Sequence, residues 1–192
     1  MKIIALGTGA NGGIPEIYCN CRVCNVARED PKEARFRSSI AVELESGKFL
    51  IVDASPDLRL QLIRNKIEIK SINAMLLTHA HYDHIGGLFE FYLVGYLDID
   101  IYSHPGVLDC FSRQLIRNGD SKKTYDLRFH NQYRKLEFDQ TLITGFEVPH
   151  TSSTYGPTLG LNHLVRLFVP ATFLLNVQGI FCPFLSLLLY HL

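Results

Sequence analysis

The alternation of hydrophobic and polar positions predicts a chain that begins with a β-sheet. Residues 2–6 and 74–77 are short, continuous apolar runs, which are typical of strands buried on both faces. In residues 36–45 the apolar positions recur at every second residue, which predicts an antiparallel strand with one face in water. Residues 49–52 follow after a glycine and form its predicted hairpin partner.

The same pattern predicts helices between and after these strands. Ser55 is a capping residue and Pro56 follows it at the first helical position, after which apolar residues recur at helical spacing. Residues 88–97 predict a strongly apolar helix, and 105–118 predict another that ends at Gly119. Further short strands are expected at 98–102, 125–130, 133–138 and 141–148.

Residues 78–84 read Thr-His-Ala-His-Tyr-Asp-His and form the most unusual stretch of the chain. They follow the strand predicted at 74–77 and precede the expected start of a helix, so they occupy a turn where several side chains can converge. Imidazole nitrogen and carboxylate oxygen together suit zinc, iron and manganese. The side chains expected to bind metal are His79, His81, Asp83 and His84.

Composition narrows the class of protein. The chain has 192 residues, which suits one domain or slightly more, and its hydrophobic content of 47% is that of a globular protein. Lys and Arg number 19 and so do Asp and Glu, which argues against a dedicated nucleic-acid-binding or membrane-surface protein. The N-terminal apolar run ends too early for a secretory signal, so we expect a cytoplasmic protein with reduced cysteines.

Cys19, Cys21 and Cys24 form a C-x-C-x-x-C cluster. Thiolates this close together in a reducing compartment favour a structural zinc whose fourth ligand comes from elsewhere in the chain. The alternative is three incidental cysteines in a loop. The other two cysteines, Cys110 and Cys182, stand alone and are expected in the core.

Three further features leave alternatives open. Residues 7–12 match G-x-G-x-x-G, but Pro15 and the cysteines follow where a dinucleotide site would need a helix, so we favour a loop that brings backbone close to the metal cluster. Asp53 ends a predicted strand and is either a hydrogen-bond partner of the histidines or a cap for the next turn. His150 ends a later strand, and its position alone is weak evidence for a metal ligand.

Together these residues resemble the metallo-β-lactamase superfamily, whose metal signature is H-x-H-x-D-H. The match at 79–84 is complete. The opening Gly-Thr-Gly, the three cysteines, the Arg-Ser-Ser at 37–39 and the segment 53–59 are similar to one subgroup of it. That subgroup contains the cyclic-phosphate phosphodiesterase of phosphonate breakdown and the pyrroloquinoline-quinone biosynthesis protein B.

This resemblance, which covers residues 1–163, implies an α/β fold in the form of an αββα sandwich with a dinuclear metal site at one edge. By matched position, the ligands it implies are His79, His81 and His150 for the first metal, Asp83 and His84 for the second, and Cys19, Cys21 and Cys24 for a separate structural zinc. The catalytic ions would be zinc or manganese, up to two in number. Asp83 would also orient the attacking hydroxide.

The implied function is that of a metal-dependent hydrolase, a phosphodiesterase in which a metal-bound hydroxide attacks phosphorus. The alternative is a non-hydrolytic or degenerate metal-binding protein related to the biosynthesis protein B. The expected partner is a small-molecule phosphodiester. A nucleic-acid substrate stays open, as does a homodimer, and membrane association is not expected.

The end of the chain departs from the family pattern. Residues 167–192 contain no Asp, Glu, Lys or Arg. We therefore expect an incomplete metallo-β-lactamase-like domain at 1–163, truncated in its second half, and an apolar tail at 164–192. The tail is either a truncated or frame-shifted remnant, a membrane-spanning segment or a divergent core element. Under the first account the second metal lacks its remaining ligands.

Overall fold

The structure of the chain, a computed structural model, describes residues 1–89, 99–117, 127–130, 135–139, 141–148 and 164–168. Its strands are β1 (Lys2–Gly7), β2 (Ser39–Glu43), β3 (Phe49–Val52), β4 (Ile72–Leu77), β5 (Ile99–Ser103), β6 (Leu127–His130), β7 (Lys135–Phe138), β8 (Thr141–Val148) and β9 (Leu164–Phe168). Its α-helices are α1 (Arg22–Glu29), α2 (Leu58–Arg64), α3 (Tyr82–Ile85) and α4 (Pro105–Arg117), with short 3₁₀ turns at Pro31–Glu33 and Ile69–Ser71.

The strands form two sheets. The first has six strands in the order β1-β2-β3-β4-β5-β6, and the second has three in the order β7-β8-β9. Pairing is antiparallel from β1 to β3 and parallel from β3 to β6. The carboxyl ends of β3, β4 and β5 therefore meet at one edge of the large sheet. The segments that follow them carry Asp53, the histidine stretch and His104.

The large sheet separates two hydrophobic cores, because alternate residues of a strand face opposite sides. On one side, residues such as Ile51, Met75 and Ile101 pack with the helices. On the other side lie residues of both sheets, among them Val52, Leu76, Leu136 and Ile143. The helices, the large sheet and the second sheet are therefore stacked in that order. They form three layers of an αββα sandwich, which confirms the predicted α/β class.

Most predicted elements are present with shifted ends. The strand predicted at 36–45 is shorter, since Arg35 and Arg37 bridge instead to the glycine-rich loop at Ile14 and Gly9. The sequence prediction missed α1. Only two residues of this helix, Cys24 and Ala27, are buried, so its apolar positions do not form a recognisable helical stripe. Within the helix predicted at 88–97 the first two residues are helical, and 90–98 lie outside the described residues.

The predicted tail falls partly within the described residues. Residues 164–168 form β9, which pairs antiparallel with β8, while 169–192, including Cys182, lie outside the part that the structure describes. Cys110, expected in the core, is half-buried on α4. Among the described helices, none has both the length and the apolar character needed to cross a membrane.

The loops that follow β3 and β4 are joined by backbone hydrogen bonds. The Ala54 N–H donates to the His84 carbonyl at 2.8 Å, and the Gly87 N–H donates to the Ala54 carbonyl at 2.7 Å. A Cβ at Gly87 would lie 2.1 Å from the Ser55 carbonyl oxygen. A glycine at position 87 is therefore required for the two loops to approach this closely.

The Gly87→Ala variant is expected to lower the free energy of unfolding by about 1–3 kcal/mol, because the added methyl group meets backbone that cannot move away. Gly12→Ala is the matched control, since a Cβ there meets the flexible side chain of Glu16 at 2.5 Å. Urea unfolding of both variants measures the difference. Equal midpoints for the two would contradict the requirement for close approach.

Candidate metal centre

Asp53 lies directly after β3 in a conformation that few non-glycine residues adopt. Its φ is 62°, and its side chain is buried. Two hydrogen bonds hold this backbone: the Asp53 N–H donates to the Leu76 carbonyl at 2.9 Å, and the Ser39 hydroxyl donates to the Asp53 carbonyl at 2.8 Å. This left-handed turn fixes the position of the Asp53 carboxylate beside the segment that follows β4.

The Asp53 carboxylate is the hub of the site. Its Oδ1 accepts from the Thr78 N–H at 2.8 Å, and both carboxylate oxygens lie within 2.9 Å of the Thr78 hydroxyl. Its Oδ2 lies 2.7 Å from Nδ1 of His84. Of the two interpretations open for Asp53, the structure therefore supports the partner of the histidines.

The hydrogen bonds of Asp53 also determine which ring nitrogen each histidine presents. The Thr78 hydroxyl donates to Asp53, so it accepts from Nδ1 of His79, which lies 2.9 Å away. Nδ1 of His84 likewise donates to the carboxylate. In both rings Nε2 is left to face away from Asp53, as in histidines whose orientation a carboxylate fixes for metal binding.

His84 lies between two carboxylates. Burial alone lowers the pKa of His84, but the charge and hydrogen bond of Asp53, followed by those of Asp83, outweigh it and raise the pKa to about 10. Nε2 of His84 lies 3.3 Å from Oδ2 of Asp83. Burial raises the pKa of Asp83, but its hydrogen bond and charge interaction with His84 outweigh burial and lower it. Asp83 is therefore ionised. A metal cation would take the place of the proton that now lies between Nε2 of His84 and the Asp83 carboxylate.

The histidine stretch forms two pairs of donor atoms whose spacing fits metal ions. Nε2 of His79 lies 3.1 Å from Nδ1 of His81, and the second pair is His84 Nε2 with Asp83 Oδ2 at 3.3 Å. Two nitrogen ligands on a tetrahedral zinc are separated by about 3.3 Å. The rings of His79 and His84 are 3.9 Å apart between centroids, so the two pairs are adjacent.

The predicted third ligand, His150, lies outside the described residues. Its role stays a prediction. Thr78, by contrast, received no role from the sequence, although its hydroxyl links Asp53 to His79. The available signal was its position directly before the first histidine of the motif.

The three clustered cysteines converge on one point at the start of α1. The Sγ atoms of Cys19, Cys21 and Cys24 lie within 4.8 Å of one another. The sulfurs of a tetrahedral zinc site are about 3.8 Å apart, so a small contraction of this cluster would accommodate zinc. The Glu16 N–H points at Cys24 Sγ with a separation of 3.4 Å.

Within this cluster the interactions between the cysteines lower the pKa of Cys21 and raise that of Cys19, so the thiolate form is favoured at Cys21. The Cys24 backbone N–H, then the thiols of Cys19 and Cys24, donate to Cys21 and lower its pKa to about 7. The thiolate is the form that binds metal. Arg28 stabilises the loop, because its Nη2 donates to the carbonyls of Glu16 at 3.0 Å and Cys19 at 2.6 Å.

The glycine-rich loop has a structural explanation. A Cβ at Gly7 would lie 1.9 Å from the Arg37 carbonyl oxygen, and the Gly9 N–H donates to the Phe36 carbonyl at 2.7 Å. The Arg37 guanidinium donates to the Asn11 carbonyl at 2.7 Å and to Asp57 at 2.8 Å. The loop therefore fastens β1 to the start of α2, and no helix begins at its last glycine, as a dinucleotide site would require.

The family model of the Beta-lactamase superfamily domain matches residues 49–164. The chain therefore belongs to this family. The match includes both loops that carry the histidine site, and excludes the cysteine cluster.

Two curated relatives and two solved structures narrow the likeness. The chain is 38% identical over 116 residues to an octanoyltransferase of Porphyromonas gingivalis. The matched segment is 60% of this chain and 23% of that protein. The chain is 36% identical over 118 residues to coenzyme PQQ synthesis protein B of Methylobacterium radiotolerans, which covers 57% of this chain and 39% of that protein. The chain thus spans less than half the length of these relatives.

Among solved structures, a diphosphatase described as a member of the PhnP family superposes with a TM-score of 0.69 at 24% identity, covering 87% of this chain and 61% of that one. The Zn²⁺-bound PqqB of Methylobacterium extorquens superposes with a TM-score of 0.66 at 28% identity, covering 78% and 52%. The first shows the shared fold. The second, together with coenzyme PQQ synthesis protein B, supports the PqqB-like part of the predicted subgroup.

The Thr78→Val variant is expected to bind zinc at the histidine site about 10–100-fold more weakly, because His79 loses the hydroxyl that orients its ring. Thr78→Ser retains that hydroxyl and serves as the control. Competition with a chromophoric chelator measures the affinity. Equal affinities for the two variants would contradict the orienting role of the Thr78 hydroxyl.

The Cys24→Ser variant is expected to lose one zinc per chain, since oxygen replaces a sulfur ligand of the cluster. Cys110→Ser removes a half-buried thiol outside the cluster and should leave the zinc content unchanged. Elemental analysis of the purified variants gives the stoichiometry. An unchanged zinc content in Cys24→Ser would favour the alternative, in which the three cysteines lie in a loop by chance and bind no metal.

Proposed function

We propose that this chain is the metal-binding part of a hydrolase that cleaves phosphodiesters. The observation that carries the proposal is the arrangement of His79 with His81 and of Asp83 with His84 as two adjacent donor pairs. When bound, a pair of divalent ions acts as a Lewis acid that activates water and neutralises charge on the phosphate oxygens. The likeness to a PhnP-family diphosphatase favours phosphorus over carbonyl chemistry.

The residues of the chain divide the remaining tasks. Asp53 and Thr78 hold the two imidazoles in orientation through Nδ1, which avoids reorganisation when substrate arrives. Asp83 is ionised and mostly buried, so it can accept a hydrogen bond from the attacking water and keep it directed at phosphorus. His150 is proposed as the third ligand of the first metal.

The donor atoms also guide the choice of ions. The mixed nitrogen and oxygen set suits zinc or manganese, whereas the three thiols of the cysteine cluster suit zinc. We also propose a cytoplasmic location, because clustered cysteines that bind zinc as thiolates are typical of a reducing compartment. The proposed substrate is a small-molecule phosphodiester, with nucleic acid as a second substrate to be tested.

A non-hydrolytic metalloprotein is the second candidate. The likeness to PQQ synthesis protein B, at 36% identity, favours it. Both candidates require metal at the histidine site, so metal content does not separate them. Turnover of a phosphodiester does.

With added zinc or manganese, the full chain is expected to hydrolyse bis(p-nitrophenyl) phosphate, and His81→Ala should lower the rate more than about a hundredfold. Loss of a ligand should exceed the 10–100-fold effect of an outer partner. His130→Ala is the control, because the described contacts of His130 are with Asp100 and Tyr102 on β5 and with no residue of the histidine stretch. Absorbance of nitrophenolate measures the rate, and thermal unfolding verifies that each variant is folded. No turnover with any divalent metal would favour the second candidate.

A further inference from the structure

Tyr82 is an exposed aromatic side chain inside the metal-binding motif. It lies between His81 and Asp83, and its exposed fraction is 62%. Every other residue from 74 to 89 is buried or half-buried. The ring is therefore not needed to fill the core, and its place in the motif calls for a different explanation.

The ring of Tyr82 lies against a glycine, Gly86. A Cβ at Gly86 would lie 2.8 Å from Cε2 of Tyr82 and 2.9 Å from Cγ of Pro56, and also 2.7 Å from the Tyr82 carbonyl oxygen. The backbone of Gly86 has a φ of −62°, which any residue adopts. Position 86 therefore needs glycine because there is no room for a Cβ, and not because of its backbone conformation. The missing side chain lets the Tyr82 ring lie against the backbone beside Pro56.

An exposed ring that packs against backbone on one side is suited to stacking. That contact reduces the conformational entropy to be lost when a ligand binds the ring, which is the advantage of a preorganised site. Exposed aromatic side chains stack on planar groups, and the stacking stabilises bound nucleobases and other aryl rings alike. The Tyr82 hydroxyl has no hydrogen-bond partner among the described residues, so the described contacts leave the ring to act through its face and edge.

The ring lies at the same edge of the large sheet as the metal centre. The residues it lies beside, Gly86 and Pro56, belong to the two loops that carry the histidine stretch and Asp53. A phosphate held by the donor pairs would therefore place the group esterified to it within reach of the ring. An aliphatic group would gain little from that contact, whereas a planar group would stack.

We propose that Tyr82 is a specificity-determining residue that stacks on a planar aromatic group carried by the phosphoester substrate. The inference rests on the proposed function only in placing the phosphate at the histidine pairs. It goes beyond that function by naming the substrate class, which is an ester of an alcohol bearing a nucleobase or an aryl ring.

Binding measurements test this without turnover. The full chain, loaded with zinc, is titrated with 5′-AMP, phenyl phosphate and ribose 5-phosphate by isothermal calorimetry. A preference of about tenfold for the aromatic ligands over ribose 5-phosphate is expected, from the usual strength of base–aromatic stacking. Preference for 5′-AMP alone identifies a nucleobase, and preference for both identifies any aryl group.

Variants then assign the preference to the ring. Tyr82→Ala should remove it and Tyr82→Phe should keep it. Tyr18→Ala is the matched control, because Tyr18 is 96% exposed and lies outside the histidine stretch. An absent preference in the native chain, or one that survives in Tyr82→Ala, overturns the inference. Failure of the proposed function would instead appear as absent turnover of bis(p-nitrophenyl) phosphate with the aromatic preference intact.

Discussion

The hydrogen bonds of one buried carboxylate connect the two loops on which the histidine site is built. Asp53 belongs to the segment after β3, and the groups it binds, Thr78 and His84, belong to the segment after β4. Parallel pairing of β3 with β4 brings these segments to the same edge of the sheet, but it does not fix their side chains. The carboxylate does so, and it does so for two imidazoles at once.

The backbone at Asp53 explains why this position is demanding. A left-handed φ costs of order 1–3 kcal/mol for an ordinary residue, and it persists only where surrounding contacts hold it. Here the contacts are the hydrogen bonds to Leu76 and Ser39, which tie Asp53 to both neighbouring strands. Asp and Asn tolerate this conformation better than most residues, and of the two only Asp also supplies a charge.

Sequence alone was sufficient for β1 to β8, since their apolar runs are continuous or alternate, and for the position of the histidine turn. It missed β9, which lies at the start of the predicted apolar tail. It predicted Asp53 as one of two alternatives, because a strand-end carboxylate is equally suited to capping. It missed Thr78, whose role depends on a hydroxyl bridging two side chains, one of them 25 residues away. It also missed α1, because that helix buries only Cys24 and Ala27 and depends on the surrounding loop. Whether His150 joins the site depends on residues beyond those described, so its assignment remains a prediction.

The position of the large sheet between two cores has a consequence for synthesis of the chain. The side chains that face the second sheet from β2, β3 and β4, among them Val42, Leu50 and Leu76, leave the ribosome first. Those that cover them, Leu136, Phe138 and Ile143, follow only after β5, α4 and β6. During that interval an apolar sheet face is open to other chains, as is typical of incompletely synthesised domains. The nascent chain therefore exposes this apolar face, where a chaperone could bind, after the histidine stretch has been made and before the second sheet exists.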